Sequence, residues 1–273
     1  MQTRESLPNI NRLSIVGAAI MLAFVLTQLV SFPSQSVSFS IFGIILDFVI
    51  NFRTVITFFT AILAAAGMQW LIQSHPEHTQ YHNRWAYVRH WIVPILTTLV
   101  IGVALNSFAG ETYWWAVFIL GSLLLLGVFI AEYNVVAGDA MNHPFATVGL
   151  TGLSFALYLL LVIAAFSADL RLYVRVPLLT VGALMVIARS IYLRLGEWHT
   201  IWAMVNSIIV GEVVVGFHYL PFQPIQNGLL IIGIAYALTS ITAAIKETRK
   251  TFYFWAEPVG MLLLMILISI LWR

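Results

Sequence analysis

The chain has 273 residues, of which 61% are hydrophobic and 9% are charged, and its formal net charge is +2. A soluble domain carries about 25% charged residues, so this composition excludes a water-facing exterior and predicts an integral membrane protein. The 13 Lys and Arg residues form no stripe of the kind that binds nucleic acid. The absence of cysteine excludes disulfides, thiolate metal sites and iron–sulfur clusters.

Nine apolar runs follow one another along the chain, each close to the length of about 20 residues that crosses a hydrocarbon core. They predict an all-α polytopic helix bundle in a single transmembrane domain, 1–273. Tryptophans lie at or near the ends of these runs, where indole rings collect at membrane interfaces. The predicted spans are 12–32, 55–72, 91–108, 113–133, 146–166, 177–195, 199–217, 225–245 and 257–272.

A tenth apolar run, 39–50, is too short to cross the bilayer and contains Asp47. One interpretation is an interfacial segment that leads into the second span. The other is a re-entrant or broken helix, which is tolerated only where protein or a cavity covers its backbone. The interfacial interpretation is favoured, because no symmetric counterpart of the run occurs elsewhere in the chain.

The Lys and Arg residues predict an orientation, because basic loops stay on the cytoplasmic side of a membrane. If each of the nine predicted spans crosses the membrane once, most of these residues lie on the same side as the N-terminus. We therefore expect a cytoplasmic N-terminus and a bacterial cytoplasmic membrane. Arg171 and Arg175, which share one loop on the other side, oppose this assignment.

Two adjacent spans between 176 and 220 hold Arg189, Asn206 and Glu212 within apolar sequence. An ionisable side chain in hydrocarbon usually faces a polar partner or a water-filled cavity. At about 1.5 Å per residue from the turn at 196–198, Arg189 and Asn206 lie at a similar depth, which favours a contact between them, and Glu212 lies farther along its helix. These residues and Asp47 form the predicted substrate or ion pathway. The alternative is that Glu212 is a neutral, hydrogen-bonded structural residue.

A second polar cluster is predicted on the cytoplasmic side of the membrane. It consists of Asp139 and His143 after the fourth span, and of Arg194, Glu197 and His199 around the turn between the sixth and seventh spans. Opposite charges at matching depth suggest an ion pair between Asp139 and Arg194. An ordinary solvated loop is favoured over this pair, because exposed ion pairs contribute little stability.

Histidines in the longest polar loop, 73–90, suggest metal or cofactor chemistry. His75, His78 and His82 have spacings of three and four, which could place two imidazoles on one helical face, but a fourth ligand is unclear. His90 and His199 could face each other as axial ligands of a haem. Structural interfacial histidines explain the same residues, so no metal site and no cofactor are predicted.

A faint internal repeat relates 91–168 to 176–250. The sequence VPILT at 93–97 resembles VPLLT at 176–180, and a Gly-Glu turn follows each of them. Since each copy would contain three spans, the second copy would be inverted in the membrane, as in many secondary transporters. Chance matches between common apolar residues explain the same similarity.

Two hypotheses for the function remain. The first is a small transporter-like protein with a polar cavity within the membrane, and the second is a non-catalytic subunit or assembly factor of a larger membrane complex, with haem or chlorophyll as a variant. No Gly-x-Ser-x-Gly and no His-Glu-x-x-His motif occurs, so enzyme activity is not expected. The expected partners are the lipid bilayer and other membrane subunits.

Overall fold

The computed structural model of the chain describes residues 8–30, 33–41, 44–75, 87–136, 143–168, 170–247 and 251–271. Nine helices in this part of the chain are long and apolar enough to cross a membrane, so the predicted all-α membrane helix bundle is confirmed. In chain order the elements are α1 (Ile10–Leu29), β1 (Gln35–Ile41), β2 (Ile44–Ile50), α2 (Phe52–Ile72), α3 (Val88–Ser107), α4 (Tyr113–Val136), α5 (His143–Ser167), α6 (Leu172–Leu195), α7 (Thr200–His218), α8 (Pro224–Lys246) and α9 (Thr251–Leu271).

Helix ends follow local signals in the sequence. The Asn9 side chain accepts a hydrogen bond from the backbone N–H of Asn11 at 3.1 Å, and the Asn51 side chain accepts one from the backbone N–H of Thr54 at 2.7 Å. These bonds satisfy donors that lack partners in the first helical turn. Gly196 ends α6 with a φ of 75°, a left-handed conformation that favours glycine.

The segment 39–50 lies in a β-hairpin and not in a helix. Strands β1 and β2 pair antiparallel, with Ser38 opposite Asp47, and β2 leads through Asn51 into α2. The broken-helix interpretation is therefore wrong, whereas the interfacial location stays a prediction. The signal is present in the sequence: Ser36, Ser38 and Ser40 alternate with apolar residues, which is the period of a strand.

Two helices begin well before the predicted spans. Helix α6 starts at Leu172 and α9 at Thr251, so Pro177 and Pro258 lie inside their helices and not at the first position. The first turns of both helices contain polar residues, Arg175 in α6 and Thr251 and Tyr253 in α9, which lower the local hydropathy. An apolar run therefore predicts the part of a helix that can lie in the hydrocarbon core of a membrane. It does not predict the residue at which the helix begins.

The chain forms two compact units, Met1–His143 and Pro144–Arg273. The first unit contains the hairpin and α1 to α4, and glycines allow its helices to approach closely. Gly67 of α2 faces the Val16 side chain of α1, and Gly102 of α3 faces the Thr57 side chain of α2. Such small residues are typical of helix contacts in membranes, where apolar burial gives no advantage over lipid.

The second unit contains α5 to α9. Helices α8 and α9, and likewise α6 and α7, pack closely along their lengths. Helix α5 reaches its neighbours through larger side chains: the Tyr158 hydroxyl donates to the backbone oxygen of Leu179 in α6 at 3.0 Å, and the Phe155 ring lies 5.3 Å from that of Tyr236 in α8. These longer contacts leave space between α5 and the rest of the unit.

The predicted single domain and the predicted repeat are not established by this arrangement. The first proposed copy, 91–168, runs across the division between the two units at His143. The repeat stays a prediction.

Candidate functional site

The space beside α5 is a cavity of about 630 Å³ that lies within the second unit. Small-molecule sites commonly have volumes of about 300–1,000 Å³. Side chains of α5, α6, α8 and α9 line the cavity, and most of them are apolar, including Phe155, Leu159, Ile232, Met261 and Met265. We call this space the α5 cavity.

The polar part of the lining consists of hydroxyl groups and one arginine. The hydroxyls include those of Thr151, Ser190 and Tyr236, and the arginine is Arg194. Ser190 is 3% exposed, and its hydroxyl has no hydrogen-bond partner among the residues that the structure describes. An unsatisfied buried hydroxyl costs free energy, so its presence in a cavity wall is typical of a position that receives a ligand or water.

Arg194, which lines the cavity, binds two carboxylates that are not among the lining residues. Its Nε donates to Glu247 Oε1 at 2.8 Å and its Nη1 donates to Glu257 Oε1 at 3.0 Å, while Nη2 donates to both residues at 3.4 and 3.2 Å. The Tyr236 hydroxyl donates to Glu257 Oε1 at 3.0 Å. We call these four residues the Arg194 cluster.

Helix geometry explains why these residues meet. Arg194 lies in the last turn of α6, just before Gly196 ends that helix, and Glu247 is the C-terminal cap of α8. Glu257 precedes Met261 by four residues, so both lie on one face of α9. The cluster therefore joins the ends of α6 and α8 to the first turns of α9, and Met261 continues from it into the cavity.

The first unit contains a buried ionisable pair of its own. His90 Nδ1 lies 2.8 Å from Glu132 Oε2, and the two side chains are 2% and 0% exposed. Arg89 Nε donates to His90 Nε2 at 3.0 Å. Because Nε2 accepts this bond, the imidazole proton lies on Nδ1 and is donated to Glu132. The pair joins the start of α3 to the end of α4.

A family model matches residues 32–272 of the chain, and its description reads protein of unknown function, DUF5656. The chain belongs to this family. The match begins after α1 and includes the hairpin, α2 to α9, the α5 cavity and the Arg194 cluster. No curated protein and no solved structure matches the chain. The function is therefore argued from the geometry of the site.

Three residues of the predicted pathway, Arg189, Asn206 and Glu212, are not among those that line the α5 cavity. Asn206 donates to Thr242 Oγ1 at 2.8 Å, so it binds α8 in place of the expected partner Arg189. Arg189 is fully buried in α6, with its guanidinium 5.7 Å from the centre of the Tyr192 ring. Glu212 is exposed on α7. A transport pathway through these residues stays a prediction.

Asp47 and the predicted cytoplasmic cluster are only partly described. The backbone of Asp47 lies in β2, and that of His143 begins α5. Asp139 lies outside the described residues, and Arg194, its suggested partner, binds Glu247 and Glu257. Glu197 is exposed. His199 precedes α7 without a capping hydrogen bond from its side chain.

The histidine predictions are likewise only partly described. His75 is buried, with its ring 4.7 Å from that of Tyr133, whereas His78 and His82 lie outside the described residues. His90 uses both ring nitrogens for Glu132 and Arg89, which differs from the suggested axial ligand of a haem. Within the described ranges no group of three or more His, Asp or Glu side chains could hold a metal ion.

Sequence reasoning missed four contacts that the structure shows. Glu247 lies between two predicted spans and Glu257 begins the last one, and neither was expected to bind Arg194; Glu132 was not expected to bind His90. At the far end of α6, Arg175 donates from Nη1 to His218 Nδ1 at 2.6 Å. A usable signal exists for Glu257, because it is an acidic residue within an apolar helix that begins at Thr251.

Proposed function

We propose that the chain is a transporter-like membrane protein whose second unit binds a small amphipathic molecule in the α5 cavity. The observation that carries this proposal is a cavity of about 630 Å³ with mainly apolar walls and with Arg194 and Tyr236 of the Arg194 cluster in its lining. The apolar part of the ligand lies against Phe155, Leu159 and Met265, and its polar end lies near Ser190 and Arg194.

The composition of the walls supports this class of ligand. A hydrated ion or a sugar would lose water to walls that are mainly apolar by area and in which hydroxyls such as those of Thr151 and Thr239 already donate to backbone oxygens. An unpaired polar group in such surroundings costs a few kcal/mol. A hydrocarbon chain has no such cost. The unpartnered Ser190 hydroxyl and the Tyr236 hydroxyl give the polar end of the ligand its hydrogen-bond partners.

The Arg194 cluster supports a role in opening and closing the cavity. It holds the start of α9 against the ends of α6 and α8 through four hydrogen bonds from one guanidinium. The three charged side chains are 24–34% exposed, so solvent screens their interactions in part. Because solvent weakens these ion pairs, the cluster can break and form again during a transport cycle, whereas a fully buried cluster would resist such breaking.

Two glycines of α5 provide a matched test of the cavity. Gly152 lines it and Gly149 does not, and at both positions an added Cβ atom meets no atom within 4 Å. Leucine is also the better helix former by about 0.5–1 kcal/mol. Gly152→Leu should therefore fold normally and fill part of the cavity, whereas Gly149→Leu should fold normally and leave it open.

The measurement is the amount of lipid-like molecule retained by each variant after purification in a neutral detergent, determined by native mass spectrometry. We expect Gly152→Leu to retain at least fivefold less than the wild-type chain and Gly149→Leu to retain as much. Proteoliposomes should then show flux of the retained molecule for Gly149→Leu and not for Gly152→Leu. Equal retention by both variants contradicts the proposal.

A second candidate, a subunit of a larger membrane complex, is supported by one face of α7. Ile201, Met204, Val205 and Ile208 are exposed there, and the exposed Glu212 continues the same stripe one turn farther on. A carboxylate among apolar side chains in hydrocarbon favours a polar group on a partner. A photoreactive amino acid at Ile208 should cross-link a partner protein in native membranes, and labelling of lipid alone would contradict this candidate.

A further inference from the structure

The lining of the α5 cavity offers a charged head group little. Among the residues that the structure describes, the lining contains one charged side chain, that of Arg194. A charged group that leaves water for mainly apolar walls needs an opposite charge beside it. A cationic head group meets no such charge in the described lining and faces a guanidinium of its own sign, so the lining disfavours a cation.

An anionic head group would compete for a guanidinium that the protein already uses. Arg194 has five N–H donors, and four hydrogen bonds run from it to Glu247 and Glu257. An anion that took over these donors would break contacts that hold α9 to α6 and α8. Because its gain at Arg194 is offset by this loss, the lining gives an anion little preference as well.

Hydrogen bonds between uncharged groups are available in the same wall. Ser190 is 3% exposed, lies one turn before Arg194 on the same face of α6, and has a hydroxyl without a hydrogen-bond partner among the described residues. The hydroxyls of Thr151 and Thr239 donate to backbone oxygens of their own helices, so their oxygens can still accept. A ligand group that both donates and accepts, as a hydroxyl does, suits this combination.

The hydrocarbon part of a ligand contributes little to this choice. A chain that moves from lipid into the cavity exchanges one apolar environment for another, so its length gives little preference for the protein. Discrimination between membrane-soluble molecules therefore falls to the head group. We propose that the ligand of the α5 cavity is an uncharged amphiphile of the long-chain alcohol class, whose hydroxyl forms a hydrogen bond with Ser190; this inference rests on the proposed function.

Three ligands with the same alkyl chain test the inference: dodecanol, dodecylamine and dodecanoate. Binding to the wild-type chain in a neutral detergent at neutral pH is measured by native mass spectrometry and by the shift in Tm. We expect dodecanol to bind more tightly than either charged ligand by about fivefold or more, because a charge is costly to bury in the apolar walls. A smaller advantage, or a preference for either charged ligand, overturns the inference and leaves the proposed function standing.

Failure of the proposed function gives a different result. In that case none of the three ligands binds and Gly152→Leu retains as much lipid-like molecule as Gly149→Leu, so the inference falls with it. If none of the three binds but Gly152→Leu still loses a retained molecule, the inference alone is overturned. Dodecanol that binds as tightly to Gly152→Leu as to Gly149→Leu lies outside the cavity, which also overturns the inference.

Two buried serines provide a matched pair of variants for the same assay. Ser190→Ala removes a hydroxyl that makes no hydrogen bond in the described structure, so the variant should fold normally. Ser207→Ala removes a hydroxyl of similar burial that donates to the backbone oxygen of Met204 and is not among the lining residues. We expect Ser190→Ala to weaken dodecanol binding by about threefold to tenfold and Ser207→Ala to leave it unchanged. Unchanged binding in a folded Ser190→Ala variant, or equal weakening by both, would refute the assigned hydrogen bond.

Discussion

Loss of one partner from the His90–Glu132 pair should destabilise the first unit more than loss of both. The two side chains meet at 2.8 Å and are almost completely buried between α3 and α4. His90→Leu leaves the Glu132 carboxylate inside the unit without its imidazole partner. Glu132→Leu leaves an imidazole, which can stay neutral at less cost.

The expected magnitudes follow from burial and charge. A buried charge that is left without its partner costs about 3–5 kcal/mol, whereas replacement of both residues of such a pair by apolar residues is often close to neutral. Hydrogen bonds between membrane helices average only about 0.6 kcal/mol, because the unfolded chain also finds partners in the membrane. Arg89, which binds His90 in the wild-type chain, stays beside the site in each variant. We therefore expect the free energy of unfolding to fall by about 3 kcal/mol in His90→Leu, by about 1–2 kcal/mol in Glu132→Leu and by about 1 kcal/mol in the double variant.

The assay is equilibrium unfolding in mixed micelles of a neutral detergent and dodecyl sulfate, followed by tryptophan fluorescence. His199→Leu is the control, since His199 is half-buried and its side chain makes no capping bond, and it should change the free energy of unfolding by less than about 0.5 kcal/mol. Additive effects in the double variant, or a His90→Leu cost below about 1 kcal/mol, would refute the reasoning.

Three further predictions concern packing and polar contacts, and each uses the same unfolding assay. Gly67→Ala should destabilise the protein by about 1–3 kcal/mol, because the new Cβ atom overlaps the Val16 side chain. Gly127→Ala is the control: its Cβ atom meets open space, so the change should be neutral or stabilising. Equal effects of the two substitutions would contradict this prediction. Arg194→Gln should cost about 2 kcal/mol, since two carboxylates then share one end of the unit; no loss would mean that the cluster does not hold α9. Asn206→Leu should cost about 1 kcal/mol through loss of its bonds to α8, and a gain in stability would contradict that role.

The fold illustrates which parts of a membrane protein are encoded locally. Nine spans could be predicted because each is an uninterrupted apolar run of the right length, and length and hydropathy need no knowledge of neighbours. The hairpin was missed, although the alternation of serine with apolar residues from Ser36 to Ser40 is also local. Neither interpretation of the run, an interfacial segment or a broken helix, included pairing between two strands.

The candidate site was predicted less well than the fold. Arg194 was identified as a polar residue at a helix end, but its partners lie 53 and 63 residues farther along the chain. When only depth in the membrane is known, many carboxylates are possible partners of Arg194. Asn206 gives a similar example: depth favoured Arg189, whereas rotation of α7 places its side chain against Thr242 of α8.

The sequence by itself determined that the chain suits a membrane and that nine helices within its described residues are long and apolar enough to cross one. It also determined several helix ends, since caps such as Asn51 and the left-handed turn at Gly196 act over a few residues. Tertiary structure decided which helix faces meet. The α5 cavity is lined by side chains of α5, α6, α8 and α9, which come from separate parts of the sequence. A pairing between distant helices depends on their rotation and tilt, and these are set by the packing of all neighbours at once.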